Sequence, residues 1–80
     1  MNNSNHQKVV SNLASNIKKL RLGLGMSQEE FALKAEIDRT FISKIERAAA
    51  NPSLKTLTAI ANILNVPLTQ LFYCIENNDD

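Results

Sequence analysis

Cysteine is almost missing from this chain. Cys74 is the single thiol, and no Cys/His cluster accompanies it. That excludes an internal disulfide framework and a zinc site, and it suits a reducing cytosol. Cys74 is expected to act as a small, partly buried apolar residue, with an intermolecular disulfide as the alternative. No apolar run approaches the length of a membrane span, and the N-terminus lacks the basic and apolar regions of a signal peptide. The expectation is a cytoplasmic protein without a membrane association. There is almost no strand signal, and internal repeats and glycine-rich phosphate loops are absent too. The one histidine, His6, has no recognisable Ser or Cys partner. Glu29 and Glu30 point apart if helical, and Asp79-Asp80 is terminal. Nothing here supports an enzyme, a metal ion, a cofactor or a small-molecule ligand.

What is present is a short chain with an uneven charge. Eighty residues make one domain at most. Chains of this size sit near the stability limit, and dimerisation is a common remedy. The net charge is +1, but Glu76, Asp79 and Asp80 crowd the C-terminus. Residues 1–75 therefore carry nine basic and five acidic side chains, which leaves room for a basic face.

Hydrophobic spacing organises the rest. Residues 1–7 read as a flexible polar leader, residues 8–75 as the folded unit and residues 76–80 as an acidic tail. Val10, Leu13, Ile17, Leu20 and Leu24 recur at helical spacing, so a first amphipathic helix is expected over 8–23, closed by Gly25. Ser27 can cap a second helix, with Glu30 completing a capping box. Phe31 and Ala32 would face inward from it. After a turn at Glu36-Ile37, Asp38 can cap a third helix that buries Ile42 and Ile45. Ala32 is small, as the close crossing of two steeply inclined helices requires. Asn51-Pro52 is a break. Ser53 can cap a fourth helix with Leu54, Leu57, Ile60, Ala61 and Leu64 on its buried stripe, ended by Asn65. Pro67 suits the first turn of a short fifth helix through Phe72. The prolines and glycines all fall at or near these boundaries, so local and global signals agree.

Helices two and three thus form a helix-turn-helix, and Arg39, Thr40, Ser43, Lys44 and Arg47 remain outside on the third. These are long donors and small hydroxyls, the groups that contact bases and phosphates. Arg39 can grip guanine in bidentate fashion, and Thr40 can meet a base edge or a thymine methyl. Lys44 and Arg47 can reach a base or the backbone, and Ser43 shares their side. A solvated arginine and a weak cap are the plainer readings of Arg39 and Thr40. Asn51 and Lys55, flanking the start of helix four, are candidate phosphate contacts. Lys18 and Lys19 read as a solvated face. Leu68, Leu71, Phe72, Tyr73 and Ile75 exceed what so small a monomer can bury, which marks them as the candidate dimer surface.

From Asn16 to Phe72 the chain resembles the Cro/C1-type (Xre) helix-turn-helix family. The residues carrying the resemblance include Ile17, Arg21, Gly25, Met26, Ser27-Gln28, Phe31-Ala32, Ala35, Arg39-Thr40, Ile42-Ser43, Ile45-Glu46, Asn51-Pro52, Leu54, Leu57, Ala61, Leu64, Val66 and Leu71-Phe72. Within that family, the run from Asp38 to Arg47 looks most like the controller proteins of restriction–modification systems. The resemblance implies an all-α, compact five-helix, phage-repressor-like domain. It further implies a homodimer that binds a pseudo-palindromic double-stranded DNA operator and regulates transcription. It makes Gln28 a phosphate contact, with a plain surface glutamine as the competing reading, and it makes Arg21 and Glu46 an internal ion pair. Pairing also has a physical motive, because a free carboxylate on a DNA-facing surface repels phosphate. Two departures stand out. Glu36 occupies a turn position that is usually glycine, and Ala48-Ala49-Ala50 follows helix three where glycine and polar residues are common. The competing function is an antitoxin-type protein-interaction module with the same fold, against which the short polar tail after Cys74 counts.

Overall fold

The structure is a computed structural model that describes the backbone of residues 3–73 and side chains from residue 5 onward. The order of elements is α1 (Asn3–Gly23), α2 (Gln28–Ala35), α3 (Arg39–Glu46), α4 (Leu54–Leu64) and a 3-10 helix, η1 (Leu68–Phe72). Among the described residues there is no strand. Helix α1 begins at Asn3 rather than near residue 8, so residues 3–7 continue the helix instead of standing apart from it. Their polar side chains hid this from the hydrophobic pattern, yet none of them is a helix breaker. The expected fifth α-helix is a 3-10 turn. Pro67 supplies no N–H at its start, and five residues are too few to establish an α-helical ladder.

Two serines begin helices as their spacing predicts. The Glu30 backbone N–H donates to Ser27 Oγ at 3.0 Å, and the Thr56 N–H to Ser53 Oγ at 3.1 Å. Only that half of the capping box at Ser27 is among the described hydrogen bonds. Asp38 sits at the N-cap of α3 with extended backbone angles, but its carboxylate makes no capping bond.

The four α-helices share one way of stopping. Each is followed by a residue in the left-handed region: Gly25 (φ 73°), Glu36 (58°), Ala48 (60°) and Asn65 (62°). Behind each, a six-to-one and a five-to-two backbone bond close the last turn, as in a Schellman motif. At α1 these are Met26 N–H to Arg21 O (3.2 Å) and Gly25 N–H to Leu22 O (3.0 Å). At α3 they are Ala49 N–H to Lys44 O (2.8 Å) and Ala48 N–H to Ile45 O (3.1 Å). Glycine and asparagine accept this conformation readily; glutamate and alanine pay a steric penalty of roughly 1–2 kcal/mol. Closing the helix satisfies carbonyls that would otherwise lack partners, and that gain holds Glu36 and Ala48 in place.

Phe31, Ile17, Ile42, Ile45, Ile60 and Leu71 are wholly or almost wholly buried, and Ala32 lies among them. Burying such side chains is worth roughly 1.5–3 kcal/mol each, so this cluster is the main stabilising element. Two residues placed on the apolar stripes lie outside. Leu24 falls beyond the end of α1, where helical spacing no longer applies, and Leu54 begins α4 ahead of the turn that meets the core; both are exposed.

Leu71 corrects a larger expectation. It has no exposed surface, so it belongs to the core and not to a dimer interface. Leu68 is half-buried against the same cluster. Phe72 and Tyr73 are exposed, and Ile75 lies outside the described residues. The reversal comes from two asparagines on α1. Asn16 Nδ2 donates to the carbonyls of Leu71 (2.9 Å) and Tyr73 (2.6 Å), and Asn12 Nδ2 to those of Phe72 (3.2 Å) and Tyr73 (3.0 Å). These bonds satisfy the carbonyls at the end of η1 and hold Leu71 pointing inward.

Candidate nucleic-acid interface

Helix α3 has eight residues, and its side chains divide sharply. At 3.6 residues per turn, positions 39, 40, 43, 44 and 47 fall within an arc of about 140°. Ile42 and Ile45 fall on the opposite side and are buried. Arg39, Thr40, Lys44 and Arg47 are exposed, and Ser43 is half-buried between them. Burial of the isoleucines therefore fixes which way the polar row faces. Arg47 lies just past the last helical residue, where its Nε donates to Ser43 Oγ at 3.4 Å, a long and weak bond. The row carries three cations and no carboxylate, the charge an anionic polymer requires.

A buried polar network braces this helix from behind. Arg21, in the last turn of α1, donates from Nε to Glu46 Oε2 at 2.7 Å and from Nη2 to Glu46 Oε1 at 2.9 Å. The two side chains are 7% and 2% exposed. Arg21 Nη1 also donates to the Met26 carbonyl at 2.7 Å. Gln28 Nε2 donates to Glu46 Oε1 at 3.1 Å. The Glu46 carboxylate thus joins the end of α3 to the end of α1 and the first residue of α2, and Arg21 extends the network to the loop before α2. The carboxylate is neutralised by the bidentate guanidinium, so burying it is tolerable. No buried side-chain nitrogen or oxygen among the described residues lacks a partner.

The structure brings together some of the residues singled out in the sequence and separates others. Arg39, Thr40, Ser43, Lys44 and Arg47 share one face. Gln28 is half-buried and tied to Glu46, not free at the surface. Asn51 precedes α4 and Lys55 lies in its first turn; both are exposed. Of the three alanines after α3, only Ala49 is exposed. Sequence reasoning missed Asn12 and Asn16. Their signal was present: two asparagines four residues apart beside an apolar stripe, where a poor helix former needs a reason. It also missed the bond from Gln28 to Glu46, which joins residues 18 positions apart in the chain.

Comparison with known proteins gives a consistent picture. A helix-turn-helix family model matches residues 17–71. The control protein C.MunI of a Mycoplasma species is 43% identical over 61 residues, which cover 75% of this chain and 82% of that protein. The restriction–modification controller protein C.AhdI from Aeromonas hydrophila superposes with a TM-score of 0.77 at 28% identity, over 79% of this chain and 96% of that one. The controller protein C.Esp1396I, crystallised as a tetramer with its natural 35 base-pair operator, superposes at 0.73 with 42% identity, over 80% of this chain and 84% of that one.

Proposed function

The chain belongs to the helix-turn-helix family, and from that premise we propose that it is a sequence-specific, DNA-binding transcriptional regulator of the restriction–modification controller kind. The observation that carries this reading is the exposed row Arg39, Thr40, Ser43, Lys44 and Arg47 on a helix whose opposite side is locked into the core. A helix fits the major groove of B-DNA, and base edges there are told apart by donors and acceptors of this kind. Arg39 and Thr40, in the first turn of α3, read base edges. Ser43, Lys44 and Arg47 extend the contact along the groove. Gln28, Asn51 and Lys55 hold phosphates and set the register, which affects affinity without selecting sequence.

The protein acts as a homodimer in the cytoplasm, has no catalytic role, and binds a pseudo-palindrome. One recognition helix covers only a few base pairs, and two related by a two-fold axis sit about 34 Å apart on the duplex. The dimer surface includes the exposed Phe72 and Tyr73, with the half-buried Leu68 beside them. No described helix is long and apolar enough to cross a membrane. Selection from a random duplex pool tests the proposal. Enrichment of a pseudo-palindrome is expected. An unenriched pool, together with a second protein that co-purifies in equal amount, would replace it with the antitoxin reading.

A further inference from the structure

We infer that Glu46 and Arg21 are positioning residues for the phosphate contact made by Gln28, so that the buried ion pair tunes DNA affinity as well as stability. The inference rests on the DNA-binding reading above. It starts from the bond between Gln28 Nε2 and Glu46 Oε1, 3.1 Å long. A carboxylate only accepts hydrogen bonds, so the amide of Gln28 must turn its NH2 group, not its oxygen, toward Glu46. That fixes the orientation of an amide that would otherwise flip freely. An NH2 group carries two hydrogens. One is committed to Glu46, and the other is held by the planarity of the amide as a donor at the first residue of α2. A phosphate oxygen needs that donor; the amide oxygen in its place would repel it.

Arg21 has a separate part in this arrangement. A bare carboxylate so close to the phosphate would oppose binding. The guanidinium meets both carboxylate oxygens, at 2.7 and 2.9 Å, and cancels that charge. Glu46 orients, Arg21 neutralises and Gln28 donates. Because Glu46 is the last residue of α3 and Gln28 the first of α2, the reading helix and the phosphate contact are joined by a single hydrogen bond, on a carboxylate that Arg21 also holds.

The test is a binding cycle at fixed salt. Gln28→Ala is measured in the wild-type chain and in a chain carrying Arg21→Met with Glu46→Leu, a replacement of a buried ion pair by apolar groups that proteins often tolerate. Each chain is titrated against the selected operator and an unrelated duplex. In the wild-type chain, Gln28→Ala is expected to weaken binding to both duplexes by about tenfold, the scale of one charge-assisted hydrogen bond. In the apolar background it is expected to cost about twofold or less, because Gln28 is no longer oriented. An equal penalty in both backgrounds overturns the inference, and so does no penalty in either. If the wild-type chain binds neither duplex, the DNA-binding reading itself fails, which is a different result. A second measurement needs no substitution. In the free protein, one of the two Gln28 side-chain amide protons should be protected from exchange, and phosphate-backbone binding should shift the other. Two amide protons that exchange at the same unprotected rate overturn the inference even where the apolar variant does not fold.

Discussion

At the scale of single residues, specificity and stability are carried by different side chains. Arg39 is exposed in the first turn of α3 and makes no described bond within the chain, so its donors are available to a base. Arg39→Ala is expected to cost roughly 1–3 kcal/mol on the best site and to relax preference at one base pair. A base-by-base competition titration measures this, and unchanged base preferences would remove α3 as the reader. Glu36 and Ala48 hold left-handed backbone angles that suit glycine. Glu36→Gly and Ala48→Gly should each stabilise the fold by about 1 kcal/mol, seen as a rise in Tm of roughly 4–8 °C. A fall in Tm would mean that the glutamate or alanine contributes something the backbone argument omits. Ala49 is the exposed member of the alanine run beside α3, and Ala49→Lys should raise affinity for every duplex without altering the preferred sequence. A changed preference in the same titration would place that loop against bases.

At the scale of elements, the helices were legible where short-range chemistry decides them. Ser27 and Ser53 cap as their position in the sequence suggests, and Gly25 and Asn65 close α1 and α4. These signals act within one turn, so a single sequence displays them. The orientation of η1 was not legible, because it depends on Asn12 and Asn16, about 60 residues away in the chain. The Arg21–Glu46 bond ties α1 to α3 in the same long-range manner. Removing one partner should cost about 3–5 kcal/mol, since it strands a buried charge. A double-mutant cycle on urea denaturation should show coupling above ~0.5 kcal/mol. Additive losses would mean that the pair does not hold the helices together.

At the scale of the whole molecule, the question is how two copies meet. Leu71 cannot test a dimer, because Leu71→Asp would place a charge in the core and unfold the monomer. Tyr73 is 64% exposed at the end of η1 and is the better probe. Tyr73→Asp should raise the dimer dissociation constant with little change in monomer stability, as read by sedimentation equilibrium across the micromolar range. A wild-type chain that stays monomeric at high concentration would end the dimer proposal. Operator affinity should also fall steeply with salt through counterion release, and a flat salt response would argue against phosphate contacts.

The sequence by itself determined the helix starts at Ser27 and Ser53, the break at Asn51-Pro52, the burial of Ile42 and Ile45, and hence the row of polar side chains left outside on α3. Periodicity and capping are local, and one face of a short helix must be apolar if the other is to meet water. The tertiary structure alone decided that Leu71 lies inside while Phe72 and Tyr73 lie outside, and that Gln28 faces Glu46. A run of apolar residues states how much surface needs covering but not what covers it. That depends on which carbonyls Asn12 and Asn16 can reach once α1 and η1 are packed, and on a carboxylate of α3 that Arg21 of α1 and Gln28 of α2 both reach.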